Sequence, residues 1–308
     1  MLQDAVQDAP TEILQLERGQ MTGELTHLSV GRVGASTGTF SRGLRSRGIL
    51  SERRWVLGMT LDGSPALFQN IETMPGDLVI VQPGTELYAR YVGSNAYASI
   101  FVEPEELFAF LGTDPGAQDA WIWRQPVTVL STDPTTGRAR AAGLRMLLNV
   151  VAAHGETMTA GSAEYYRLRI LELMTGPVIH SAGWHHRKPR LSLAVSLVRD
   201  VDRFLVDAGP TRVNLTDLAH QFGVSPRALQ HAFAEVLGVP PREFFRRKRL
   251  GAAHTALLTA GPGDTVTRIA IEHGFADVGR FARDYSEMFG EQPNQTLRRR
   301  NIIVRRET

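Results

Sequence analysis

Three side chains with base-reading chemistry fall at helical spacing between Ser225 and Phe233: Arg227, Gln230 and His231. An arginine fork matches the two acceptors of guanine, and a glutamine amide matches adenine. Such groups read DNA only if a rigid helix carries them into the major groove. The surrounding residues predict that support. Asn214 can cap a first helix, with Asp217 three residues on. Ala219 is small where two helices would cross, Gly223 allows a sharp turn, and Val224 fills the space between them. Ser225 caps the second helix with Pro226 in its first turn, where proline loses no hydrogen bond. Leu229, Phe233 and Leu237 form its buried face. A solvated helix face would use similar residues, so this segment alone leaves both readings open.

The arrangement recurs. Pro240 to Leu258 reads as one long helix. After Asp264-Thr265, the stretch Val266 to Tyr285 repeats the first unit. Ala270 stands for Ala219, Gly274 for Gly223 and Asp277 for the cap Ser225. Phe281 and Tyr285 stand for Leu229 and Phe233, and Phe289-Gly290 for Leu237-Gly238. Pro293 likewise stands for Pro241. Two helix-turn-helix units joined by one helix are expected.

Charge supports the division. The 308-residue chain carries a formal +2, but unevenly. Residues 1–186 hold 14 basic and 19 acidic side chains, a net −5, and residues 191–308 hold 17 and 13, a net +4. A basic half beside an acidic one suggests that the basic half meets a polyanion.

Residues 191–300 resemble the DNA-binding domain of the AraC/XylS transcription regulators. The stretch Gly274-Phe275-Ala276-Asp277-Val278-Gly279-Arg280-Phe281-Ala282-Arg283-Asp284-Tyr285, followed by Phe289-Gly290-Glu291-Gln292-Pro293, carries the resemblance. It implies seven helices and two recognition helices about one DNA turn, ~34 Å, apart. It also implies base contacts from Arg227, Gln230 and His231 in the first unit. Those of the second unit fall to Val278, Gly279, Arg280 and Arg283. Val278 and Gly279 offer no side-chain hydrogen bond, so Arg280 and Arg283 would act mainly on phosphates. Ser225, Arg246 and Arg247 are further phosphate candidates, the two arginines equally readable as a solvated face.

The first half reads as β-rich to about residue 103. Short apolar runs such as Arg54–Leu61 and Asp77–Gln82 are separated by turn residues, as in a sandwich or small barrel. Phe40-Ser41-Arg42 and Pro75 to Glu86 resemble small cupin-like barrels. Pro134 to Gly176 reads as a helical hairpin, which either covers the barrel or joins two copies. Arg42, Arg45 and Arg47 precede Asp62 and Ser64, a cluster suited to a phosphate-bearing effector. It is loosely similar to the cyclic di-GMP pattern of PilZ domains, but lacks the Arg-x-x-x-Arg spacing and has Leu67 at the glycine position. Arginines paired with this half's own carboxylates are the alternative.

Other chemistries lack their residues. The chain has no cysteine, which excludes thiol sensing, alkyl transfer and thiolate metal sites. Metal cupins need a histidine set, whereas the first hundred residues hold only His27. Adjacent His185 and His186 share no helix face and lack a third ligand. No nucleophile motif or phosphate loop appears, so neither an enzyme nor a cofactor is expected. No run reaches the ~18 apolar residues of a membrane helix, and Met1 to Glu12 is polar, which predicts a cytoplasmic protein.

The expectation is thus an α+β chain. Residues 1–183 form a cupin-like barrel with a helical hairpin, for effector binding and dimerisation. Residues 184–190 are a linker, and 191–308 an all-α double helix-turn-helix domain. The expected partners are double-stranded promoter DNA, a second copy, a small-molecule or nucleotide effector and, for an activator, RNA polymerase. The alternative is a constitutive regulator whose first half only dimerises.

Overall fold

The computed structural model describes residues 11–112, 121–154, 157–179, 185–187, 193–207 and 214–299. The chain forms two compact units, one of residues 1–13 and 22–190, the other of residues 14–21 and 191–308.

The first unit is built on antiparallel strands in two sheets. The smaller sheet has the order β1 (Thr11–Gln15), β4 (Leu44–Ile49), β9 (Glu86–Tyr91), β6 (Ala66–Phe68), β7 (Ile71–Thr73). The larger runs β12 (His185–Arg187), β11 (Val127–Ser131), β8 (Leu78–Val81), β5 (Trp55–Gly63), β10 (Asn95–Val102), β3 (Val33–Phe40), β2 (Gly23–Val30). Residues 185–187, expected in a linker, instead pair with β11. Trp184 and residues 188–190 lie outside the described residues.

Strand alternation explains why β8 is apolar throughout. Val79 and Val81 face the space between the sheets, together with Val56 of β5 and Leu87 and Ala89 of β9. Leu78 and Ile80 join a second core with Leu57 and Leu61, shared with the helices. A sheet buried on both faces needs apolar residues at every position. The helices are α1 (Pro104–Leu111), α2 (Pro134–His154) and α3 (Ala160–Ile179). Leu144, Leu148 and Val151 of α2, with Ile170, Leu171 and Met174 of α3, enter that core. Leu168, one turn before Leu171 on α3, is exposed.

The second unit contains seven helices among its described residues: α4 (Leu193–Asp207), α5 (Leu215–Gln221), α6 (Pro226–Leu237), α7 (Pro241–Thr259), α8 (Val266–Glu272), α9 (Val278–Phe289) and α10 (Pro293–Arg299). Phe233, Phe244 and Phe245 pack edge-to-face where α6 meets α7. Lys248 of α7 is ion-paired with the buried Asp202 of α4. Leu250, Ala253 and Leu257 of α7 form a second core with Ile269, Phe281 and Tyr285. One helix therefore supports both helix-turn-helix units.

Candidate nucleic-acid interface

The first helix-turn-helix is α5, a turn and α6. The Asn214 side chain accepts from Thr216 N at 3.0 Å, and Ser225 Oγ accepts from Ala228 N at 3.1 Å. Gly223 takes φ 65°, a left-handed conformation that favours glycine. Val224 N then donates to Ala219 O at 2.9 Å, locking the turn. Leu229, Phe233 and Leu237 are buried, which turns Arg227, Gln230 and His231 to the exposed face of α6. His231 is 82% exposed and lies 3.8 Å from Glu235.

The second unit, α8, turn and α9, repeats this backbone. Gly274 has φ 79°, and Phe275 N donates to Ala270 O at 2.9 Å. Thr265 caps α8 through Arg268 N at 3.2 Å, and Asp277 caps α9 through Arg280 N at 2.9 Å. Gly279, Arg280 and Arg283 are exposed and Val278 is half-buried. Among the described residues, no carboxylate is ion-paired with Arg227, Arg280 or Arg283. Their charge is available to a polyanion.

Arg246 and Arg247, expected at phosphates, are both ion-paired within the unit. Arg246 bridges Glu243 at 2.6 Å and Asp284 of α9 at 3.0 Å. Arg247 binds Glu243 at 2.8 Å and donates to Leu16 O. These guanidiniums clamp α7 to its surroundings. Their carboxylates raise the Arg246 pKa, although burial opposes it, and hold Glu243 low despite its burial.

Two supports of α9 left no clear signal in the sequence. The segment 14–21 packs within the second unit and satisfies the C-terminal carbonyls of α9. Gly19 N donates to Glu287 O and Met288 O, both at 3.1 Å, and Gln15 Nε2 donates to Met288 O at 2.9 Å. Arg18 pairs with Glu287 at 2.9 Å. The other support is a polar chain. His254 Nδ1 lies 2.6 Å from the Tyr285 hydroxyl, which is 2.7 Å from Thr296 Oγ1, and that hydroxyl donates to Glu291 at 2.7 Å. Burial lowers the His254 pKa to about 4 and raises that of Tyr285. Only a polar residue in an apolar stretch, such as Gln15 or His254, hinted at either.

The arginine cluster of the first half is divided between partners. Leu44 and Ser46 of β4 face between the sheets, so alternation turns Arg45 and Arg47 to the opposite face. There Arg45, fully buried, forms a two-pronged pair with Glu12 at 3.1 Å and lies over the Tyr88 ring. Arg47 binds Glu86 at 2.8 Å. Asp62, on the other sheet, pairs with Arg145 of α2 at 3.4 Å. Arg42 is exposed and Ser64 half-buried. The five residues do not converge, and three already have charge partners.

Among the described residues, no group of three or more His, Asp and Glu could hold a metal ion. No helix there is long and apolar enough to cross a membrane.

A helix-turn-helix domain family matches residues 218–299. The chain is 34% identical over 103 residues to the XylDLEGF operon transcriptional activator 3 of Pseudomonas putida, covering 33% of this chain and 31% of that one. It is 34% identical over 132 residues to the probable thc operon regulatory protein of Rhodococcus erythropolis, covering 41% and 39%. The match thus spans only about a third of the length of these curated relatives. A solved structure of a probable AraC family transcriptional regulator from Rhodopseudomonas palustris CGA009 is 38% identical. That match covers 34% of this chain and 97% of that chain, with a TM-score of 0.32.

Proposed function

This chain belongs, by its C-terminal unit, to the AraC/XylS family, and on that premise we propose that it is a sequence-specific transcriptional regulator of double-stranded promoter DNA. The observation that carries the reading is the exposed face of α6. A capped turn presents Arg227, Gln230 and His231 there, with no carboxylate pairing Arg227 among the described residues. In the working complex α6 and α9 enter successive major grooves of one duplex face, ~34 Å apart. Gln230 and Arg227 read base edges, and Arg280 and Arg283 hold phosphates. The protein works in the cytoplasm as a homodimer and contacts RNA polymerase where it activates.

Ligand control is the finer part of the proposal. The cavity between the two sheets receives the effector, rather than the arginines of β4. An effector acts only if it binds one state of the protein more tightly than another. Selection of bound DNA from a random pool, with and without a metabolite extract, tests both parts. Enrichment of one motif supports DNA reading, and an extract-dependent change in affinity supports ligand control. Uniform retention of all sequences would overturn the first, and extract-independent affinity the second.

A further inference from the structure

His231 is exposed on α6, and the proposed DNA complex leaves it without a role. The internal repeat supplies one. Leu229 and Phe233 stand for Phe281 and Tyr285, so His231 stands for Arg283. Each helix buries the residues two before and two after that position. Each leaves the position itself exposed. Each is also capped at its third amide, Ala228 N or Arg280 N, so the two share a register from the first turn. One place on a common scaffold thus holds an arginine in the second unit and a histidine in the first. Arginine is charged at every pH of interest. Histidine changes charge between about pH 5 and 8.

The charged surroundings of His231 are few. Nδ1 lies 3.8 Å from Glu235, one turn on. At that distance the two form a charge pair rather than a hydrogen bond. Arg227 lies one turn back on the same face of α6. Helices α4, α5 and α7 pack on the other face, which buries Leu229, Ala232, Phe233 and Val236. Among the described residues, none of those helices brings a carboxylate into ion-pair reach of the imidazole. With Nδ1 towards Glu235, Nε2 has no partner within the chain among those residues.

We infer that His231 is a proton-dependent DNA contact: its imidazolium donates from Nε2 to an acceptor on DNA, and binding takes up from solvent the proton that makes it a cation. The acceptor is a phosphate oxygen or the O6 or N7 of guanine, since both accept from a cationic donor. The carboxylate of Glu235 and the DNA polyanion favour the charged ring, and Arg227 opposes it. This role rests on the DNA-reading proposal and adds a regulation to the same site. DNA favours the protonated ring, so the extra affinity is present at acid pH and is lost as pH rises through the histidine range. The grip of α9, through permanent arginines, stays constant over that range.

The test is the affinity of the full chain for the selected site and for random DNA, measured by fluorescence anisotropy at fixed salt from pH 6 to pH 8. Wild-type affinity is expected to fall roughly tenfold across the range. His254 stays neutral in the folded protein over this range, so it adds nothing to the change. His231→Gln should abolish the change and bind at pH 6 as the wild type does at pH 8. His231→Arg should abolish it too, and bind at pH 8 as tightly as the wild type at pH 6. Both variants should keep the wild-type thermal midpoint, because the side chain is exposed. A loss in His231→Gln that is equal on selected and random DNA identifies a phosphate, and one confined to the selected site a guanine. A pH dependence that survives in His231→Gln would overturn the inference, as would a wild-type affinity that is constant with pH. If the wild type selects no sequence at any pH, the functional reading falls and this role with it.

Discussion

The two helix-turn-helix units share a backbone and differ in what they show to solvent. Both turn on a left-handed glycine, Gly223 or Gly274, and both close with the same 2.9 Å bond back to an alanine carbonyl. Their recognition helices are each capped by a side-chain oxygen and end on a left-handed glycine, Gly238 or Gly290. Yet α6 exposes Arg227, Gln230 and His231, whereas α9 exposes Gly279, Arg280 and Arg283. The second unit is also the more heavily buttressed, by residues 14–21, the His254 chain and the Arg246–Asp284 pair. A common scaffold thus presents different side chains in the two units, which the proposed function assigns to base reading on α6 and phosphate contact on α9.

The largest effect should be the same in both units. Phe233→Ala and Phe281→Ala each empty a fully buried site, and each is expected to cost ~3–5 kcal/mol in denaturant unfolding. A much smaller loss in one would break the equivalence of the scaffolds.

Acid should separate the units. The folded pKa of His254 is about 4, against 6.5 for the ordinary residue. The folded state therefore favours neutral His254. Its stabilising effect is complete above pH 6.5 and is lost as pH falls from 6.5 towards 4. The loss between pH 7 and pH 4.5 is on the order of 2–3 kcal/mol, read by urea unfolding at those two pH values. His254→Gln should flatten this part of the pH profile. An unchanged profile would contradict the assignment.

DNA binding sharpens the contrast. Gln230→Ala should cost ~1–3 kcal/mol on the selected site and relax preference at one base pair. Arg283→Ala should weaken selected and random DNA alike and reduce the salt slope by about 1. Arg246→Ala should leave that slope unchanged while lowering stability by ~1–3 kcal/mol, because Glu243 and Asp284 lose a partner. The smallest effect belongs to Arg18→Ala. Its pair with Glu287 is about half exposed on both sides, so thermal unfolding should register at most ~1 kcal/mol.

The helix-turn-helix units were legible because their signals are local. Within each unit, the caps, the turn glycine and the buried pair (Leu229 and Phe233, or Phe281 and Tyr285) lie within about twenty residues of one another. What stayed hidden depends on distant partners. Nothing near Gln15 reveals that its amide serves a carbonyl at Met288, 273 residues away. Arg246 and Arg247 look like a phosphate-binding pair until Glu243, Asp284 and the backbone of Leu16 are placed beside them. The arginines of β4 were partly readable. Leu44 and Ser46 alternate with Arg45 and Arg47, so the pleat alone separates the charges from the cavity, but not which carboxylates receive them.

The most direct measurement is a base-by-base affinity profile of the selected DNA site, with every single substitution bound to the wild-type chain. Strong base preference, ~1–3 kcal/mol per mismatch, is expected over the groove that faces α6. Weak preference is expected one helical turn away, where α9 lies. Equal or stronger discrimination in the α9 groove, or no preference in either, would contradict the division between a reading helix and a gripping one.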